Sequence, residues 1–142
     1  MSQAQSSRLV DGEHVAKWVG ERLAILDWGS CTAIGVERSG ELIAGVVYNR
    51  YSWPDICMHV AAVEKSGWLT KRNLAVFFGY PFNQLNCKRV TALVPSKNAH
   101  ALQFDLKLGF QYEGFLRDGM PDDDLIVLGM LKKDCKWLNP KG

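Results

Sequence analysis

A histidine inside an apolar run is the first residue here with the means to do chemistry. His59 sits in ICMHVAAV, residues 56–63. An imidazole titrates near neutral pH, so it is a candidate to take a proton from an attacking nucleophile; a satisfied core histidine is the plain alternative. Glu64, at the end of the same run, and Tyr112 are further proton-handling candidates. Anion binding is the second chemistry in view. Thr70, Lys71, Arg72 and Asn73 stand where a helix begins after a polar stretch. Thr70 can cap it, its free N–H groups and positive dipole end suit phosphate oxygens, and the two cations add charge. An ordinary solvated helix start is the competing account of the same four residues.

Positioning these groups needs a sheet and helices. The run at 56–63 is almost continuously apolar, the pattern of a central strand covered on both faces. Upstream, 31–38 and 41–48 read as two strands joined through Ser39-Gly40 in a tight antiparallel hairpin. Before them Asp11 is placed to cap a helix running to Arg22, with Val15, Trp18, Val19, Leu23 and Leu26 on its buried face; residues 1–10 read as a frayed tail, without a clear first strand.

Downstream, Leu74, Phe77, Phe78, Pro81, Phe82 and Leu85 keep helical spacing, and Pro81, lacking an N–H, should kink or split that helix near Gly79-Tyr80. Val90, Leu93 and Val94 form a short buried strand that Pro95 ends. Asn98 then caps a helix whose apolar face is Ala101, Leu102, Phe104 and Leu108; Gly109 stops it at positive φ, and Phe110 opens the next strand. Strands at 111–118 and 125–131 follow, separated by the turn-rich 119–123. This order predicts a single α/β (α+β) domain, a mixed, mostly antiparallel sheet flanked by helices.

At 142 residues the chain is long enough for one core and too short for two ordinary domains. Lys+Arg 17 against Asp+Glu 15 gives +2, too little for a dedicated nucleic-acid or membrane-surface binder, so charged partners must be sought in local patches. The four cysteines, Cys31, Cys57, Cys87 and Cys135, show no C-x-x-C and no zinc-ligand spacing, so no metal is expected. The polar start and the lack of a membrane-length apolar run point to a reducing cytoplasm.

Asn98, Leu108, Gly109, Phe110, Glu113, Gly114 and Arg117, with Phe110 twelve positions after Asn98, together resemble the acetyl-coenzyme A site of the GNAT family of N-acetyltransferases, in its ribosomal-protein N-terminal acetyltransferase branch. The resemblance is strongest over 56–137. It implies a GNAT-like fold, acetyl-coenzyme A as cosubstrate and direct transfer to a primary amine: a protein N-terminus, a lysine or a small amine. Short relatives of this kind occur in phage genomes, which makes a host-cytoplasm protein a candidate acceptor. It also leaves room for a homodimer.

Residue by residue, the resemblance puts the thioester carbonyl against a backbone N–H near Ala62 and Val63. The phosphate loop falls on Trp68, Leu69, Thr70, Lys71, Arg72 and Asn73, although the family loop is glycine-rich and this one has none of those glycines. Asn98 is set against the pantetheine arm or an ordered water, with Phe104 packing on that arm. Asp105 stands where many members carry a Tyr that protonates the leaving thiolate. A carboxylate of ordinary pKa is a poor acid at neutral pH, so that role requires burial. The acceptor is expected to meet the loops at 27–30 and 119–124, whose acidic run 122–124 is either an attractor for a cationic amine or a solvated turn. A catalytically degenerate GNAT domain, serving as a coenzyme A-binding or protein-interaction module, is the alternative, supported by the glycine-poor loop and the missing Tyr.

Overall fold

The computed structural model describes residues 6–138. Seven strands form one sheet in the order β1-β2-β3-β4-β5-β7-β6: β1 (Ser7–Asp11), β2 (Cys31–Arg38), β3 (Glu41–Ser52), β4 (Asp55–Ala62), β5 (Arg89–Pro95), β6 (Gln111–Met120) and β7 (Asp123–Leu131). Every neighbouring pair is antiparallel except β4–β5. Three helices accompany it: α1 (Glu13–Leu23), α2 (Lys71–Gly79) and α3 (Ala99–Leu108). The expected mixed sheet flanked by helices is what the chain forms.

The alternation of side chains sorts the core into two layers. Val36, Val46, Met58, Val90, Ala92 and Leu128 face a large cluster with Phe77, Phe78 and Phe82, and the apolar face of α3 joins it through Ala101, Leu102, Phe104 and Leu108. On the other face Ala33, Val47 and Ala61 meet Val15, Ala16 and Val19 of α1. Pro81 interrupts the helical ladder as expected: α2 ends at Gly79, and a π-helical turn, Tyr80–Gln84, follows. Gly109 closes α3 at φ 116, and its N–H reaches the carbonyls of Asp105 and Leu106.

Three expectations are corrected. The chain does open with a strand: β1 pairs with β2 from Ser7↔Arg38 to Asp11↔Ile34. Its alternation was too short to read, because its two apolar residues, Leu9 and Val10, face opposite layers. Of the frayed tail at 1–10, residues 1–5 lie outside the described residues. Asp11, as the last residue of that strand, does not cap α1; Gly12 takes the N-cap position at φ 120 with no side-chain bond. The hairpin between β6 and β7 is also tighter than 119–123, since pairing runs out to Met120↔Asp123.

Helix α1 approaches the sheet over two paired glycines, Gly35 and Gly45. A Cβ on Gly45 would lie 2.7 Å from Val19 Cγ2 and 3.0 Å from Val15 Cγ1. Because both valines are wholly buried, they have nowhere to retreat. Gly45→Ala should therefore lift α1 and cost about 1–3 kcal/mol, read as a lower denaturant midpoint; an unchanged midpoint would show that α1 is free to shift.

Candidate functional site

The site begins where β4 and β5 part. Their parallel ladder consists of Cys57↔Thr91. Near that bridge the strands are clamped: the N–H groups of Lys88 and Arg89 donate to Pro54 O at 2.9 and 3.3 Å, and Thr91 Oγ1 donates to the Asp55 carboxylate at 2.9 Å. Toward their carboxyl ends each strand stays with its other neighbour, β4 with β3 up to Ala44↔Ala62 and β5 with β7 up to Pro95↔Leu125. The result is a wedge.

Which amides face the wedge follows from ladder geometry. Val63 N–H donates to Ile43 O at 2.8 Å, on the β3 side. Amides alternate sides along a strand, so Ala62 and Val60 point theirs toward β5. Of the two expected carbonyl donors, Ala62 turns its N–H toward the wedge; Val63 is corrected, because its N–H is already taken.

The chain then leaves β4 through 64–70 into α2. Thr70 caps the helix, its Oγ1 accepting from Asn73 N–H at 3.1 Å. The N–H groups of Lys71 and Arg72 take no acceptor among the described residues. Leu69 is exposed, whereas Trp68 is buried, with ring centroids 6.1 Å from Phe77 and 5.9 Å from Phe104. Asn73 is buried too, and its Nδ2 donates to Trp68 O at 2.7 Å. Trp68 and Asn73 thus hold the loop's shape, and Lys71 and Arg72 stand exposed at the helix start with their N–H groups free of protein acceptors among the described residues.

Arg38, at the end of β2, joins this group, although nothing local in its sequence marks it. A Cβ on Gly67 would lie 3.5 Å from its guanidinium, and its Nε is buried without a partner, as is Ser66 Oγ. A cavity of about 230 Å³ beside the helix start is lined by Ser7, Arg8, Leu9, Thr70, Arg72 and Asn73. Orphaned donors, free amides and cations together fit an anionic group.

On the second rim, Asn98 Oδ1 accepts from Ala101 N–H at 3.1 Å and caps α3. The turn before it is tied to the β6–β7 hairpin. Asp123 accepts from Lys97 N–H at 2.9 Å and from the Ser96 hydroxyl, and Ser96 N–H donates to Asp124 O. The Ser96 bond leads the causes that hold the Asp123 carboxyl below its ordinary pKa. Within the acidic run, Asp123 is therefore an anchor for the Asn98 turn, whereas Asp122 stays exposed.

Two half-buried ionisable groups are shifted in opposite directions. Asp105 lies on the stripe of α3 that faces the sheet, and burial pushes its carboxyl up to about 7. His59 is on the α1 face, its ring 4.9 Å from that of Trp28. Asn49 Nδ2 donates to Trp28 O at 3.2 Å, which orients the amide so that Oδ1 accepts from His59 Nε2–H at 2.9 Å. Burial, and then the nearby Arg50 charge, lower His59 from 6.5 to about 4. The near-neutral base expected at this position is not what the fold builds. Trp28 and Asn49 carried no signal in sequence, because they reach His59 from a loop and a neighbouring strand. Glu64 and Tyr112 are exposed. Among the described residues no cluster of metal-ligating side chains occurs, and no helix is long and apolar enough to cross a membrane.

No family profile and no curated protein matches this chain. Solved structures do. Spermidine N-acetyltransferase from Vibrio cholerae, in a dodecameric intermediate state, superposes with a TM-score of 0.73 at 16% identity over 100% of both chains. A mutant form of the spermidine/spermine N-acetyltransferase of the same organism gives 0.69 at 16%, over 90% of this chain and 96% of that one. The ribosomal-protein-S5-alanine acetyltransferase of Vibrio fischeri gives 0.63 at 17%, over 85% and 70%. At these identities the likeness is one of fold, and the fold is GNAT-like.

The two shifted groups set the pH dependence of stability. His59 is depressed in the fold, so its contribution is whole above about 6.5 and is lost as pH falls toward 4. Asp105 is raised, so its contribution is whole below 3.8 and is lost as pH rises through about 7. Asp105→Asn should then stabilise the protein at about pH 8 by up to a few kcal/mol, with the gain vanishing near pH 4. Urea midpoints across that range test it; a gain independent of pH would show that the carboxylate is not desolvated.

Proposed function

We propose that this protein is an acetyl-coenzyme A-dependent N-acetyltransferase whose cosubstrate lies in the wedge between β4 and β5. The observation that carries the proposal is the wedge itself: Val60 and Ala62 turn their amides toward it, and the free N–H groups of α2 stand at its mouth. The GNAT-like fold and the Asn98 to Arg117 pattern support it.

Lys71, Arg72 and Arg38, with the amides at the start of α2, would hold the phosphates, the cations adding charge where the loop lacks the glycines that ease close backbone approach. Bound acetyl-coenzyme A supplies an acyl thioester open to attack by an amine. In this reading Ala62 N–H polarises the carbonyl oxygen as charge grows on it, the interaction that gains most in a dry site. Asp105, protonated in part at neutral pH, gives a proton to the departing sulfur. His59, with a pKa near 4, is a poor acceptor for an ammonium proton; it orders Asn49 and Trp28 instead. The amine arrives neutral, its proton already lost to solvent. The acceptor is a primary amine, of a protein N-terminus, a lysine or a small molecule.

Two measurements test this. Acetyl-coenzyme A should raise the melting temperature by mass action, and Lys71→Glu or Arg72→Glu, both at exposed positions, should reduce that shift at unchanged apo stability. No shift at millimolar ligand would favour the degenerate module. With an amine that turns over, kcat should decline above about pH 7, and Asp105→Asn should lower it on the order of a hundredfold and remove that limb. A variant that keeps the limb would place the acid elsewhere. His59→Gln should leave the profile's shape unchanged.

A further inference from the structure

The opposite end of the sheet carries a separate feature. The turn between β3 and β4 exposes Tyr51 and Trp53, 53% and 57% accessible. Trp53 is held in place: its Nε1–H donates to Asn86 O at 3.0 Å, and the Lys88 ammonium sits 5.7 Å from its ring centroid. The fold gathers cations at the same point. Lys88 N–H bonds Pro54 O, next to Trp53, and Lys132 N–H bonds Lys88 O at 2.9 Å, which brings Lys132 and Lys133 alongside. Arg50 is exposed in the same hairpin. None of these four cations forms an ion pair among the described residues, whereas Asp55, the nearest carboxylate of the hairpin, is engaged by Arg89.

We propose that this end of the sheet binds single-stranded nucleic acid, with Trp53 and Tyr51 offering stacking faces to unpaired bases and Arg50, Lys88, Lys132 and Lys133 meeting the phosphates. An acidic peptide would use the cations and leave the two exposed rings without a role. Unpaired bases use both, because every base has a π-face and its backbone a regular charge. Duplex DNA hides its base faces. The net charge of +2 conceals the patch because its cations come from three separate segments of the chain. The patch lies away from the wedge, so the proposal stands or falls independently of acetyl transfer.

Anisotropy of a labelled oligothymidylate about a dozen nucleotides long tests it. The whole chain should bind at low salt and quench its own tryptophan emission, and log K should fall with log salt with a slope near −0.7 per phosphate contacted. Trp53→Ala should weaken binding about tenfold, and Trp53→Phe should recover most of it. Lys88→Glu should weaken binding and flatten the salt slope, whereas Lys71→Glu, at the far end, should do neither. Circular dichroism confirms that each variant is folded. The proposal is overturned if no oligothymidylate binds at low salt, if duplex DNA or poly-glutamate binds as tightly, or if Lys71→Glu costs as much as Lys88→Glu.

Discussion

Two adjacent strands that run the same way cannot be joined by a tight turn; the chain must cross over the sheet between them. In this otherwise antiparallel sheet the constraint falls once, at β4 and β5. Its consequences build the site. The carboxyl end of β4 leads into α2 and that of β5 into α3, so both helix starts, with their unpaired N–H groups, come to the same end of the sheet. Open sheets place ligands outside the carboxyl ends of strands at such a point for this reason. The clamp of Asp55, Thr91 and Arg89 closes the other end, which makes the opening a wedge.

Burial does the electrostatic work in this molecule. Asp105 and His59 are both partly withdrawn from water, and for both the neutral form is favoured, which moves the acid up to about 7 and the base down to about 4. One physical cause therefore gives the two groups opposite uses. The carboxyl is left partly protonated at neutral pH, and the imidazole becomes a fixed donor to Asn49. Polar contacts elsewhere serve position: Asp123 fixes the Asn98 turn, and Asn73 fixes Trp68 between α2 and α3.

How much of this the residues reveal depends on the range of the interactions. Local signals sufficed for the stop at Gly109, the caps at Thr70 and Asn98 and the break at Pro81, since each is decided within a turn of backbone. Strand β4 was plain from its apolar run. By contrast β1 is defined by a partner 23 to 31 positions away, from Asp11↔Ile34 to Ser7↔Arg38, and by only two apolar residues. Arg38 beside Gly67, Trp28 over His59 and the occupied N–H of Val63 are products of tertiary packing. The rise in Asp105 follows from burial that only the fold supplies.

The central claim is that the wedge and the start of α2 receive one ligand together. Amide hydrogen exchange, followed residue by residue with and without acetyl-coenzyme A, addresses it most directly. Protection concentrated at Val60, Ala62, Lys71 and Arg72, with Trp53 and Lys88 unaffected, is the predicted result. Saturating ligand that leaves those four amides exchanging as before, or that protects the opposite end of the sheet, would contradict it.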